Sequence, residues 1–201
     1  MLELALGGRI RRKTLALIRW IAIGGQVAAL LVVELWLDFR LPLATLSLLI
    51  ALSALVNVGS AILHRGRIWL EEGEARLFLA FDMLQVCGLL ALTGGLANPF
   101  AVLILAPVTV SASVLSERST AALAALAVLL AALLAALGGA LPWFDVGVLI
   151  DPLLLGGIWG GLVLATVFIA AYIASLAAER RALGEALAAT QSALAREQRL
   201  A

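Results

Sequence analysis

Long apolar runs separated by short polar breaks make up nearly the whole chain. A membrane-spanning helix needs about 20 predominantly apolar residues, and six stretches meet or approach that length. They run from about Leu15 to Leu37, Leu43 to Leu63, Ala75 to Leu92, Pro99 to Leu115, Thr120 to Ala140 and Pro152 to Ala177. The breaks are Asp38 to Pro42, His64 to Glu74, Gly94 to Phe100, Ser116 to Ser119 and Leu141 to Asp151. The pattern predicts an all-α polytopic membrane protein of six helices. The fourth stretch is short and carries Pro107 in its middle, so a kink is expected there.

Composition agrees with this pattern. Apolar residues make up 64% of the chain and charged residues 13%, with a mean hydropathy of +1.11. A soluble domain has roughly half apolar and about a quarter charged residues. The formal net charge of +1 hides a strong segregation of sign along the chain. Cys87 is the one cysteine, which excludes an internal disulfide. The first apolar run is too long for a cleaved signal peptide, and no small-residue cleavage pattern follows it.

Lys and Arg favour the cytoplasmic side of a membrane. Arg9, Arg11, Arg12, Lys13 and Arg19 precede or open the first span, and Arg65, Arg67 and Arg76 surround the second connection. Arg118 lies in the fourth, and Arg180, Arg181, Arg196 and Arg199 follow the last span. If the spans alternate in direction, all of these share one face and only Arg40 falls on the other. Both termini are therefore expected in the cytoplasm, in a bacterial inner membrane. Trp36, Phe39, Phe100, Trp143 and Phe144 gather at the outer boundary, with Trp20 and Trp69 near the inner one, as membrane interfaces favour.

Polar side chains inside a membrane are costly and invite a functional reading. Gln26 lies in the first span, Asn57 in the second, and Asp82 and Gln85 lie one turn apart in the third. Asp82 is about 10 Å along the helix from Ala75, at a depth similar to Arg19. One reading is an Arg19–Asp82 pair with Gln26 and Gln85 hydrogen-bonded between helices; the other is a proton or ion pathway. Glu34 sits near the outer end. Cys87 reads as a small apolar filler, and a lone His64 among arginines makes no metal site. Gly156, Gly157, Gly160 and Gly161 suggest close helix packing, with Trp159 among them as a packing or ligand-lining residue.

Polar, Ala-rich sequence continues after the sixth span without a proline. Leu176, Leu183, Leu187 and Leu194 recur at heptad spacing, with Thr190 at the intervening core position, which predicts the start of a coiled coil. The organisation expected is a cytoplasmic N-terminal segment (1–14), a six-helix membrane domain (15–177) and a coiled-coil signalling linker (178–201).

The break Gly94-Gly95-Leu96-Ala97-Asn98-Pro99-Phe100 is the densest cluster of turn signals in the chain. Gly94 is placed to end the third helix in a left-handed cap. Asn98 can cap the fourth helix with Pro99 at its first position. Capping alone accounts for every residue. The same turn would also present backbone N–H groups, the Asn98 amide and the Phe100 ring to the outer side, which suits a flat apolar molecule with carbonyl oxygens, such as a quinone.

This heptapeptide resembles that of the RegB/PrrB-type redox-sensing histidine kinases. Further likeness lies in Arg19-Trp20 with Gly25-Gln26, in Phe81-Asp82 with Gln85, in Ala106-Pro107-Val108-Thr109, and in Ala189-Thr190-Gln191 with Arg196-Glu197-Gln198. The resemblance implies a dimeric membrane sensor, joined through the coiled coil, that reads the redox state of the ubiquinone pool. It implies Gly94, Gly95, Asn98, Pro99 and Phe100 as quinone-site residues. It also implies an attached kinase that uses ATP and Mg to phosphorylate its own histidine, then hands the phosphoryl group to a DNA-binding response regulator. Oxidised quinone is expected to lower that activity, and a terminal-oxidase-linked partner is a further expectation. The kinase core, its histidine and the family's redox-active cysteine are not among these 201 residues, and neither Cys87 nor His64 is expected to replace them.

Sequence motifs argue against other classes. The chain carries no phosphate-cradling Gly-rich loop and no paired nucleophile and base; no catalytic residue, metal site or nucleic-acid partner is expected. The alternative is a small six-span transporter or channel, which would usually show an internal repeat with broken helices near mid-membrane.

Overall fold

The computed structural model describes residues 10–36, 41–63, 67–137 and 152–200. They are almost wholly helical: α1 is Arg12–Trp36, α2 Leu43–Leu63, α3 Glu72–Leu92, α4 Leu105–Val114, α5 Glu117–Leu137 and α6 Pro152–Leu200. Two 3-10 segments, Gly95–Ala97 and Pro99–Ile104, connect α3 to α4. A two-residue strand β1, Ile10–Arg11, pairs antiparallel with β2, Trp69–Leu70. The connections that carry Arg40, His64 and Trp143-Phe144 lie outside the described residues.

Among the described residues, four helices are long and apolar enough to cross a membrane: Arg12–Leu35, Leu43–Leu63, Glu72–Leu92 and Glu117–Leu137. Pro99–Val114 and Ile158–Ala171 are shorter apolar helices. The protein is thus an all-α membrane protein. The expected irregularity of the fourth stretch falls upstream of Pro107, where the backbone runs as a 3-10 helix before settling into α4. Proline lacks the N–H that would bond to the carbonyl four residues back, and its ring crowds that carbonyl. A 3-10 helix rises faster per residue than an α-helix. The combined element is therefore roughly 27 Å long, close to the ~30 Å hydrocarbon core.

The packed core lies between α3, α4, α5 and α6. Ala75, Leu79, Met83, Cys87 and Leu90 form one buried stripe along α3, spaced three and four residues apart. It meets Leu123, Ala127, Leu130, Ala131 and Leu134 of α5. Alanine at two of these positions lets the backbones come close, which matters where lipid supplies no hydrophobic drive between helices. Ile104 and Val108 close the core from the α4 side. Cys87 is buried here as an apolar filler.

α6 packs on this core through Leu155, Ile158, Trp159 and Leu162. Among the described residues, a Cβ added at Gly156, Gly160 or Gly161 would meet nothing within 4 Å. They occupy the adjoining row of the helix, one residue round from the residues that touch the core. The helix itself continues unbroken through the expected linker segment to Leu200, and Leu183 and Leu187 are exposed there.

α1 and α2 form a second layer. Asn57 of α2 donates to the carbonyl of Ala16 at 3.2 Å, and Arg12 donates to the carbonyl of Ala61 at 2.9 Å. α2 approaches α3 at Gly88, where a Cβ would sit 3.4 Å from Leu49 Cδ1. α1 packs on α2 and reaches α3 through two polar side-chain pairs. Between α1 and the rest of the bundle lies a cavity.

Candidate functional site

The turn after α3 is built as its residues dictate. Gly94 has φ 111° and Gly95 φ 62°, a region that side chains disfavour. Asn98 then caps the next segment: its Oδ1 accepts from the Phe100 N–H at 2.9 Å, with Pro99 at the first position. The Asn98 amide nitrogen donates to the carbonyl of Thr93 at 3.1 Å and to its hydroxyl at 2.7 Å. Thr93 in turn donates its hydroxyl to the carbonyl of Leu89 at 2.8 Å. The main-chain N–H groups of Ala97, Asn98 and Ala101 bond to Gly94, Gly95 and Asn98 carbonyls. The turn is therefore self-contained. Its amide and these N–H groups are engaged internally, where the sequence had suggested that they face a ligand.

Beside this turn lies a cavity of about 530 Å³. It is bounded by α1, α2 and α3, by the Pro99–Ile104 segment and by α4. Most of its wall is apolar, with Ile23, Leu30, Leu79, Leu103 and Val110 among the lining residues. Thr93, Asn98, Pro99 and Phe100 line one end, and Phe100 is 49% exposed at its edge. Gly94 and Gly95 are buried and shape the turn without lining the cavity.

The other end is polar. Arg19, Gln26, Asp82 and Gln85 all line the cavity. Arg19 Nε donates to Asp82 Oδ1 at 3.0 Å; the two side chains are 4% and 20% exposed. Gln26 and Gln85 exchange amide hydrogen bonds in both directions, at 3.0 and 2.9 Å. Arg19 precedes Gln26 as Asp82 precedes Gln85, so α1 and α3 run in the same direction. The guanidinium also lies against the rings of Phe78 and Phe81, 5.2 and 5.7 Å from their centroids. Arg19 Nη2 is buried without a hydrogen-bond partner among the described residues. By helix rise, Thr93 and Asp82 are about 16 Å apart along α3. The cavity therefore links the Asn98 turn and the polar quartet, which the sequence had treated as separate features.

Trp159 packs against the core away from this cavity. Two polar clusters escaped sequence reading. Thr93 is one, and Glu72 is the other. Glu72 accepts from the main-chain N–H of Ser116 at 3.2 Å, from the Ser116 hydroxyl and from the Ser119 hydroxyl at 2.6 Å. It fastens the start of α3 to the α4–α5 connection. Acidic residues at the start of a helix are common, so Glu72 carried no distinguishing signal.

This arrangement has the dimensions and character of a small-molecule site: a few hundred Å³, mostly apolar, with a few polar groups to fix orientation. No family model matches the chain, and no solved structure matches it. It is 40% identical over 191 residues to the sensor histidine kinase RegB of Cereibacter sphaeroides, a match covering 94% of this chain and 41% of that relative. A second RegB, from Cereibacter sphaeroides strain ATCC 17023, is 40% identical over 80 residues, covering 40% of this chain and 17% of the relative. The chain thus spans about two-fifths of the first relative's length. With four membrane-length helices among the described residues and a likeness that runs almost end to end, these residues are the membrane portion of a RegB/PrrB-type sensor histidine kinase.

Proposed function

We propose that this membrane portion is a ubiquinone sensor. In this reading it reports the redox state of the quinone pool to a kinase that phosphorylates its own histidine and passes the phosphoryl group to a DNA-binding response regulator. The observation that carries the reading is the cavity of about 530 Å³ bordered by Asn98, Pro99 and Phe100. A flat ring with carbonyl oxygens and an isoprenoid tail needs an apolar channel with few polar groups at fixed points. The likeness to RegB supports the kinase context.

The sensor has six spans in an inner membrane, with Pro99–Val114 and the first half of α6 as the fourth and sixth. Both termini lie in the cytoplasm, because the basic residues gather on one side. α6 leaves the membrane and pairs with its counterpart in a second copy through Leu176, Leu183 and Leu187. Exposed leucines at heptad spacing support that pairing. A change at the cavity then reaches the kinase through α4, which contacts both the cavity and α6.

The test is a titration of ubiquinone into nanodiscs containing this chain, followed by tryptophan quenching, with empty nanodiscs as blank. Phe100→Ala is expected to weaken binding. Absence of saturable binding to the unaltered chain would remove the quinone reading.

A further inference from the structure

The Arg19–Asp82 pair carries an inference that rests on the quinone reading and adds a mechanism to it. We propose that this pair is the element that distinguishes the two redox forms of the ligand. Arg19 donates to a carbonyl oxygen of the oxidised quinone, and Asp82 accepts from a hydroxyl of the quinol.

Comparison of the charged and amide side chains of the cavity leads there. At the Asn98 turn, the Asn98 amide nitrogen already donates twice to Thr93, and the Phe100 N–H is taken by Asn98. Gln26 and Gln85 satisfy one another reciprocally. Arg19 differs from both. Its side chain is 4% exposed and lines the cavity, yet Nη2 has no hydrogen-bond partner among the described residues. A buried donor without an acceptor carries a desolvation penalty that a ligand carbonyl would relieve.

The chemistry of the pair then supplies the discrimination. A guanidinium only donates hydrogen bonds, and a carboxylate only accepts them. A quinone carbonyl only accepts, whereas the hydroxyl formed on reduction also donates. Each redox form therefore has a preferred partner, and the two partners stand on different helices, α1 and α3. Reduction would transfer the ring's strongest contact from α1 to α3. The ring lies at the Arg19 end, and the isoprenoid tail runs along the apolar wall toward Phe100.

Calorimetric titration of a short-chain ubiquinone analogue into chain-containing nanodiscs, oxidised in one series and reduced under anaerobic conditions in another, tests this. Arg19→Met is expected to weaken the oxidised form about tenfold or more while the reduced form changes by less than about threefold. Arg19→Lys, which keeps a cationic donor, restores most of the oxidised-form affinity. Asp82→Leu is expected to show the reverse selectivity. If a single variant fails to fold, the double variant Arg19→Met with Asp82→Leu removes both charges together and is expected to weaken both forms. Unchanged affinity for both forms in the double variant, or equal losses for both forms in Arg19→Met, overturns the inference. If the unaltered chain still binds and Phe100→Ala still weakens it, the quinone reading survives that result. Failure of the unaltered chain to bind either form defeats both.

Discussion

Asn98 donates its side-chain amide to both the carbonyl and the hydroxyl of Thr93, at 3.1 and 2.7 Å, while its Oδ1 accepts from the Phe100 N–H. One side chain thereby ties the last turn of α3 to the first turn of the Pro99–Ile104 segment. The turn's geometry is fixed before any ligand arrives, and Phe100 is held at the cavity edge as a consequence.

Thr93→Val removes the hydroxyl that accepts from Asn98. A loss of about 1 kcal/mol is expected, seen as a thermal midpoint lower by roughly 2–4 °C. Asn98→Asp retains an acceptor for the Phe100 N–H but sets a carboxylate oxygen against the Thr93 carbonyl, so it should destabilise more than Thr93→Val. Circular dichroism melting of the purified variants decides the order.

Gly94→Ala places a Cβ on a backbone with φ 111°. A destabilisation of at least about 1–2 kcal/mol is expected, the usual cost of left-handed backbone for a residue with a Cβ. Gly95→Ala, at φ 62°, should cost less, because that angle lies near the small allowed left-handed region. Equal midpoints for the two variants would contradict this backbone argument.

Asp82→Leu leaves the Arg19 charge buried and unpaired, a change expected to cost about 3–5 kcal/mol. Adding Arg19→Met removes the orphaned charge and should recover most of that loss. A double variant as unstable as Asp82→Leu alone would mean that the ion pair itself, rather than the avoidance of a lone charge, holds α1 to α3. Unfolding in a graded denaturing detergent measures the comparison.

Glu72→Ala releases the N–H of Ser116 and the hydroxyls of Ser116 and Ser119 from a shared carboxylate. A loss of roughly 2 kcal/mol is expected, since hydrogen bonds to a charged group are the stronger kind. The local readout is hydrogen exchange at Ser116, Ser119 and Thr120, which should accelerate relative to α5 beyond its first turn.

Val110→Phe adds volume to the cavity wall without touching a polar group. Ubiquinone binding should weaken by about tenfold or more, a loss of about 1.4 kcal/mol or more. The ligand-free thermal midpoint should change little. Undiminished binding would put the ligand elsewhere.

Much of this fold was written in local chemistry. The order of apolar stretches follows from the bilayer's demand that a spanning backbone satisfy its own hydrogen bonds, so length and hydropathy sufficed to place α1, α2, α3 and α5. The Gly94–Phe100 turn was equally legible, because a left-handed cap, an Asn cap and a proline at the first position act within a few residues of one another. The glycines of α6 were less informative, because small residues mark a surface that permits close packing without saying which neighbour occupies it.

What the sequence by itself determined was the helical membrane architecture and the shape of the turn, since both arise from interactions within a short stretch. It also marked Arg19, Gln26, Asp82 and Gln85 as too polar for their surroundings and so in need of partners. Only the tertiary structure decided that those partners are each other, that Asn98 is fully engaged with Thr93, and that the turn and the polar quartet border one cavity. The pairing of the quartet and the shared cavity depend on how α1 is set against α3, over 50 residues away in the chain. In lipid, where apolar faces of a helix look alike, that setting is made by a few specific contacts rather than by a hydrophobic pattern.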